Sequence, residues 1–113
     1  LSLQAGTTCL GLTQVFTAIN NTLKTVFPIV CPYEANIPSF GGTWGFSLAS
    51  KKYNPSELTA EEVEKRISRQ VTKKLGFYDG IAHQGLFHPP KYLREAVANE
   101  NRVITEQEPL FIY

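Results

Sequence analysis

The chain has 113 residues, of which 42% are hydrophobic and 19% are charged, a composition typical of one globular domain and unlike that of disordered or fibrous proteins. Eleven basic and ten acidic residues leave a net charge of +1, too little positive charge to hold a nucleic-acid backbone. The longest apolar runs are far shorter than the roughly 18 residues that cross a bilayer. We therefore expect a cytoplasmic protein that binds neither nucleic acid nor membrane.

Cysteine and histidine spacing gives no sign of a metal site. Cys9 and Cys31 belong to no C-x-x-C or mixed His/Cys pattern, so we interpret both as small buried apolar residues in a reducing compartment. His83 and His88 lie five residues apart in a proline-bounded stretch that we predict to be a loop. That is poor geometry for two histidines on one helix face, and we expect no metal.

The first elements predicted are a strand and a helix. The opening "LSLQAGTT" is typical of a strand entered in mid-course, and the chain contains no methionine, so we expect a piece of a longer chain. Residues 12–27 have apolar side chains at helical spacing, which predicts a helix with one buried face. These side chains are Leu12, Val15, Phe16, Ile19, Leu23, Val26 and Phe27. Pro28 is expected to end that helix.

An antiparallel hairpin is predicted next, between residues 29–37 and 43–50. Both segments are rich in residues that favour strands, and "PSFGG" joins them. Pro32 lies within the first segment and has no amide hydrogen for a central ladder. It therefore indicates an interrupted strand or a strand at the edge of the sheet.

The strongest local pattern predicts a helix over residues 59–75. Thr59 and Glu62 have the spacing of a capping box, and Gly76 suits the position after the helix. Its buried stripe is predicted to consist of Val63, Ile67, Val71 and Leu75. After an irregular segment, we expect a last helix over residues 91–100 and an apolar-ended tail, "TEQEPLFIY".

Four aromatic residues lie in or beside the predicted hairpin: Tyr33, Phe40, Trp44 and Phe46. Trp44 and Phe46 share one face of a strand, because side chains alternate along it. Such aromatic residues usually belong to the core. The alternative is an apolar slot for an alkyl chain or a cation, since aromatic faces attract ammonium groups. No nucleophile elbow, phosphate loop or dinucleotide fingerprint accompanies them.

Three stretches resemble one enzyme family. "FPIVCPYEANIPSFGGTWGFSLASKKYNP" resembles the C-terminal half of the catalytic domain of the spermidine synthases, which are polyamine aminopropyltransferases. "FYDGIAHQGLF" resembles that family's signature of a tyrosine, four residues, a histidine, three residues and a phenylalanine, here Tyr78, His83 and Phe87. "LSLQAGTT" resembles the family's Val-x-Gln-x-x-Ser strand and places Gln4 on its glutamine. The matches span residues 1–98.

The resemblance implies an α/β fold: the C-terminal portion of a methyltransferase-like (Rossmann-like) domain, with an antiparallel strand pair and three helices over residues 1–113. It implies transfer of an aminopropyl group from decarboxylated S-adenosylmethionine to putrescine, another polyamine or agmatine, with no cofactor besides that donor substrate. The family's catalytic carboxylates and donor-binding loop lie upstream of this region. We therefore expect the 113 residues alone to be inactive and to pair with the donor-binding part or to form a homo-oligomer.

The resemblance also implies substrate-binding roles for three residues. Gln4 would be a polar contact near the acceptor amine, and Phe40 and Trp44 would line the slot along its methylene chain. Phe40 stands where the family has tyrosine, Pro89 stands where it usually has leucine, and the hairpin loop is one residue shorter. The shorter loop and the "TEQEPLFIY" tail look most like archaeal members, whose acceptors vary, so putrescine is not assumed.

Two other functions stay open from the sequence. A non-catalytic assembly or binding module could have kept the hairpin for pairing with a full-length partner. A free-standing small-molecule binding domain would need a closed core of its own, and the open first strand disfavours it.

Overall fold

The computed structural model describes residues 1–111. Within them the chain forms three strands and four α-helices, joined in part by 3₁₀ turns at Pro38–Phe40 and Pro55–Glu57. In chain order these are β1 (Ser2–Thr7), α1 (Gln14–Leu23), β2 (Ile29–Ile37), β3 (Gly42–Ser50), α2 (Ala60–Gln70), α3 (Gly80–Leu86) and α4 (Lys91–Ala98). The α/β class is confirmed, but the predicted strand pair is a three-stranded sheet and the predicted three helices are four.

β3 is the central strand, with β1 and β2 antiparallel on either side of it in the order β1-β3-β2. The predicted hairpin is confirmed, and β3 begins one residue earlier than expected. Pro32 lies in the edge strand β2 and pairs in register with Ser47, as its missing amide hydrogen indicated. β1 was predicted as a strand, but its pairing with β3 was not predicted.

One face of the sheet packs tightly beneath α1. Alternate residues of β3, namely Gly45, Ser47 and Ala49, are buried there. Phe16 of α1 is fully buried in the main hydrophobic cluster, whose other members are Ala5, Leu93 and Val97. A Cβ at residue 45 would collide with the Phe16 ring, so this position of the sheet requires glycine for the close approach of α1.

A buried polar pair fixes α1 on this face. The Ser47 hydroxyl donates to Asn20 Oδ1 at 2.7 Å, and Asn20 Nδ2 donates to the Phe16 carbonyl at 2.9 Å. Both side chains are fully buried. Because each has a hydrogen-bond partner, their burial does not carry the cost of an unpaired polar group.

α1 is shorter than the predicted helix over residues 12–27. Leu12 precedes it and is exposed, although the pattern had placed it on the buried stripe. At the other end, Thr25 and Val26 donate to carbonyls three residues back. This tighter winding takes the chain out of helical phase, so Val26 is exposed as well.

α2 also ends early, because residues 71–75 are not helical. Val71 has extended backbone angles, φ −117° and ψ 123°, and Gly76 is therefore not the helix cap. Val71 and Leu75 are 37% and 41% exposed, so the predicted buried stripe continues no further than Ile67. Val71 and Thr72 are both β-branched, which weakens the helix at this point. Its start is as predicted, with Thr59 Oγ1 accepting from the Glu62 amide at 3.1 Å.

The segment predicted as irregular contains α3. Asp79 caps this helix by accepting from the Ala82 amide at 2.8 Å, and His83 is therefore helical rather than in a loop. α4 begins after Pro90, as predicted, and ends at Ala98. Of the predicted apolar tail, the last two residues lie outside the described part of the chain.

Candidate functional site

The tip of the β2–β3 hairpin is a tight turn that places one aromatic ring on another. The Pro38–Phe40 3₁₀ turn is followed by Gly41 and Gly42, whose φ angles are 86° and 145°. Residues with a Cβ rarely adopt such angles. The turn brings the Phe40 ring to the Trp44 ring with 4.9 Å between centroids and a tilt of 52°, a favourable aromatic arrangement.

This aromatic pair is only partly covered. Phe40 is 45% exposed and Trp44 is half-buried. Trp44 Nε1 is the one buried side-chain nitrogen or oxygen found without a hydrogen-bond partner in residues 1–111. Leaving a buried donor unpaired costs about 1–3 kcal/mol. Trp44 thus carries a donor that the fold itself does not use, which is unlike an ordinary core residue.

The strand register places Gln4 on the same face as Trp44. Gln4 of β1 pairs with Phe46, and Thr7 pairs with Trp44, with a β-bulge between Gln4 and Gly6. Residues directly opposite each other in an antiparallel pair share a face. Gln4 is exposed. The three residues predicted for the substrate site therefore lie at one corner of the sheet, with Phe40 on Trp44 and Gln4 in the neighbouring row.

A cavity of about 560 Å³ adjoins Trp44, a size that suits a small molecule. β1 and α1 line one side of it through Thr7 and Val15, and Arg102, Leu110 and Phe111 line it from the C-terminal segment. Gln4 and Phe40 are not among its lining residues. Sequence reasoning missed the C-terminal contributors, because no spacing pattern connects residues so far apart along the chain.

A second cavity, of about 660 Å³, lies between β3 and α2. It is lined by Leu48, Tyr53 and Arg66 among others, and by none of the predicted site residues. Although this cavity is larger, it has no orphaned donor and no stacked aromatic pair among its lining residues. We therefore place the candidate site at Trp44.

The Tyr78–His83–Phe87 signature lies apart from the Trp44 cavity and has a packing role. His83 is buried, and its Nε2 donates to the Pro55 carbonyl at 2.6 Å. In a neutral ring Nδ1 is then the acceptor, and the Tyr78 hydroxyl lies 2.7 Å from it. Phe87 packs on His83 and on Tyr33, with centroid distances of 4.8 and 5.3 Å. The signature thus fixes α3 on the sheet, and burial raises the pKa of Tyr78.

The two cysteines differ in environment. Cys31 is buried as expected, and its thiol donates to Asn54 Oδ1 at 3.3 Å. Burial raises the pKa of this thiol and outweighs the hydrogen bonds from Ser56 that lower it. Cys9 is only half-buried, so its expected burial was wrong.

Two kinds of feature are absent from residues 1–111. No cluster of three or more His, Cys, Asp or Glu side chains could hold a metal ion. No helix in the same residues is long and apolar enough to cross a membrane.

Comparison with known protein sequences finds polyamine aminopropyltransferases among the relatives of this chain. No family model matches the chain. A polyamine aminopropyltransferase of Sulfolobus acidocaldarius is 46% identical over 95 residues, which are 84% of this chain and 32% of that protein. Those of Sulfurisphaera tokodaii and of a Synechococcus strain are 38% and 37% identical, over 88% and 96% of this chain and 33% and 36% of theirs. The chain spans about a third of the length of these relatives.

Solved structures agree on the fold. The crystal structure of spermidine synthase from Thermotoga maritima matches with a TM-score of 0.68 and 22% identity, over 86% of this chain and 33% of that one. A spermidine synthase solved in complex with the transition-state analogue AdoDATO matches equally well, over 32% of its chain. Over about a third of their length, the chain is thus a relative of the polyamine aminopropyltransferases, and its α/β fold is that of a part of spermidine synthase.

Proposed function

We propose that this chain forms the acceptor side of a polyamine aminopropyltransferase, which transfers an aminopropyl group from decarboxylated S-adenosylmethionine to putrescine, another polyamine or agmatine. The observation that carries the proposal is the corner where Phe40 stacks on a half-buried Trp44 with a free indole donor, beside the exposed Gln4. The relationship to polyamine aminopropyltransferases over about a third of their length supports it.

In this reaction the lone pair of a neutral amine attacks the methylene carbon next to the donor's sulfonium. The new C–N bond forms as the C–S bond breaks, methylthioadenosine leaves as a neutral thioether, and the attacking nitrogen loses a proton to a base. Phe40 and Trp44 would contact the acceptor's methylenes, and their ring faces would tolerate its ammonium groups. The Gln4 carbonyl would accept a hydrogen bond from an acceptor nitrogen and help to aim it.

The lining of the Trp44 cavity offers no carboxylate base. None of the residues that line the Trp44 cavity is acidic. Glu34 accepts from Thr8 at 2.6 Å, and the register places it opposite Gly45, on the face packed by α1. We therefore propose that the carboxylates that bind and deprotonate the amine belong to chain outside these 113 residues, and that these residues alone do not catalyse transfer.

The test compares two preparations: the 113-residue chain and the longer protein that contains it together with a donor-binding part. Each is incubated with decarboxylated S-adenosylmethionine and putrescine, agmatine or spermidine, and both methylthioadenosine and the new polyamine are quantified. We expect both products in a one-to-one ratio from the longer protein only. Turnover by the 113 residues alone would refute the assignment of the base to an outside segment.

The alternative, a non-catalytic assembly module, predicts a different result. If the chain is such a module, the longer protein should release no methylthioadenosine with any of the three acceptors. Trp44→Ala should alter subunit association instead. Comparing the association state of the wild type and Trp44→Ala by ultracentrifugation decides between the two. Homo-oligomeric assembly, which rests on the family resemblance, and the cytoplasmic location expected from the short apolar runs are further parts of the proposal.

A further inference from the structure

After α4 the chain runs back along α1 as an anchored segment, here termed the C-terminal strap (residues 100–111). Thr17 Oγ1 donates to Glu100 Oε1 at 2.9 Å. Asn21 Nδ2 donates to the carbonyl of residue 102 at 2.9 Å, and the amide of residue 104 donates to Thr22 Oγ1 at 2.9 Å. Three separate side chains of α1 thus hold the first half of the strap.

Arg102 joins the strap to the cavity wall without leaving an unpaired charge. Its Nη2 and Nε lie 2.6 and 2.9 Å from Glu100 Oε1, and Nη2 donates to the Gln14 carbonyl at 3.4 Å. The pairing with Glu100 neutralises the guanidinium locally. A positively charged ligand that enters the cavity beside Arg102 therefore encounters an ion pair and not an unpaired guanidinium.

A turn then returns the end of the strap to the candidate site. The Thr105 amide donates to the Glu108 carbonyl at 3.3 Å, and the Glu108 amide donates to Thr105 Oγ1 at 3.0 Å. Past this turn, Leu110 and Phe111 line the same cavity as Trp44 and Arg102. Leu110 and Phe111 of the apolar tail thus line one cavity together with the one tryptophan of the chain.

We propose that Leu110 and Phe111 are specificity-determining residues that form an apolar wall of the cavity that Trp44 also lines, and that they limit the length of the acceptor's methylene chain. The inference rests on the proposed function. A slot bounded by Trp44, Val15 and these two side chains favours methylene groups, and it offers no carboxylate to a terminal ammonium. An acceptor long enough to place its second ammonium against this wall is therefore disfavoured.

The first experiment tests the wall itself, without any turnover. Subtracting the emission spectrum of Trp44→Phe from that of the parent isolates Trp44, whatever other tryptophans are present in the longer protein. Leu110→Ala/Phe111→Ala should shift the Trp44 emission to longer wavelength and raise its acrylamide quenching about twofold or more, because a shielding wall is lost. Glu106→Gln, at an exposed strap position outside the lining of the Trp44 cavity, is the matched control and should leave both signals unchanged.

The second experiment measures kcat/KM for α,ω-diamines of three to eight carbons with the longer protein. In the double variant we expect the preference for the longest over the best wild-type diamine to rise by about tenfold or more, since one methylene in an apolar pocket changes discrimination by roughly 10-fold to 200-fold. Glu106→Gln should keep the wild-type length profile. Thermal unfolding of each variant checks that the folded fraction is equal.

The outcomes separate this inference from the proposed function. If the wild type is active but the Trp44 emission of the double variant is the same as that of the wild type, Leu110 and Phe111 do not shield Trp44, and the inference is wrong. If the emission changes but the preference among diamine lengths does not, Leu110 and Phe111 shield Trp44 without selecting the acceptor, and the specificity role is wrong. A wild type that transfers no aminopropyl group to any diamine overturns the proposed function and this inference together.

Discussion

The α1-facing side of β3 and the hairpin tip meet their surroundings in opposite ways. Toward α1, Ser47 is fully buried with its hydroxyl bonded, and Gly45 leaves just enough room for the Phe16 ring. At the hairpin tip, Phe40 is 45% exposed and Trp44 has an indole donor without a partner. The first region is closely packed and its polar side chains are hydrogen-bonded. In the second region apolar surface stays exposed and one donor has no hydrogen-bond partner. Such local violations are typical of functional sites.

The largest expected effect contrasts one phenylalanine from each region. Phe16→Ala leaves a cavity in the packed core and should reduce the free energy of unfolding by about 3–5 kcal/mol. Phe40→Ala removes a ring that is already half in water and should cost about 1 kcal/mol or less. Denaturant unfolding of both variants measures this difference. Equal losses would mean that the hairpin tip is part of the core and would remove the contrast.

Trp44→Ala tests whether the tip acts on chemistry or on stability. If Trp44 lines the acceptor slot, kcat/KM of the longer protein should fall about ten-fold to over a hundred-fold, which is about 1–3 kcal/mol of transition-state stabilisation. If it is core, the loss should appear as about 3–5 kcal/mol of stability with kinetics near normal. Both are measured on the same variant. Phe46→Ala, whose ring stacks on Tyr33 at 5.3 Å, is the control expected to lose stability alone.

The hairpin was predictable because its evidence is local. Alternating β-formers, the glycine pair and Pro32 fixed both strands to within one residue, and the alternation correctly placed Trp44 and Phe46 on one face. The resemblance selected Gln4, Phe40 and Trp44, and the register brings them to one corner. Their binding of substrate stays a prediction.

The remaining differences between the predicted and the observed elements have physical causes that sequence patterns do not reveal. Periodicity continued through Val71 and Leu75, but α2 ends at Gln70, just before the β-branched Val71 and Thr72. α3 is only seven residues long, too short for a periodic pattern, and its one local sign was the capping Asp79. The strap depends on Thr17 and Thr22 of α1, more than 80 residues away along the chain. Long-range contacts of this kind leave no spacing signature.

Ser47→Ala tests the packed, α1-facing side of β3. Without the Ser47 hydroxyl, Asn20 Oδ1 loses its donor inside the core, and the free energy of unfolding should fall by about 1–3 kcal/mol. Ser39→Ala makes the same chemical change at the exposed hairpin tip and should stay within about 0.5 kcal/mol of the parent. The two are compared by chemical denaturation at one pH. A neutral Ser47→Ala would show that the buried pair does not stabilise the fold.

The smallest expected effect is a pH dependence at the start of the C-terminal strap. Burial alone would raise the pKa of Glu100, but hydrogen bonds from Arg102 and Thr17 and the charge of Arg102 outweigh it, so the pKa lies below its ordinary value of 4.5. A carboxylate whose pKa is lowered on folding stabilises the protein above the unfolded-state pKa. That stabilisation is lost as the pH falls from about 4.5 through the lower folded-state pKa.

Glu100→Gln should therefore differ in stability from the parent at pH 7, and the difference should shrink as the pH falls below about 4.5. Subtracting the two unfolding curves at each pH cancels the other carboxylates, which titrate in both proteins. Glu106→Gln, at an exposed strap position, is the matched control for the loss of one carboxylate from the strap. If the Glu100→Gln difference depends on pH no more than the Glu106→Gln difference does, the ion pair with Arg102 does not hold the strap. The strap would then be held on α1 by other contacts, such as the hydrogen bond that Asn21 donates to the carbonyl of residue 102 and the one that Thr22 accepts from the amide of residue 104.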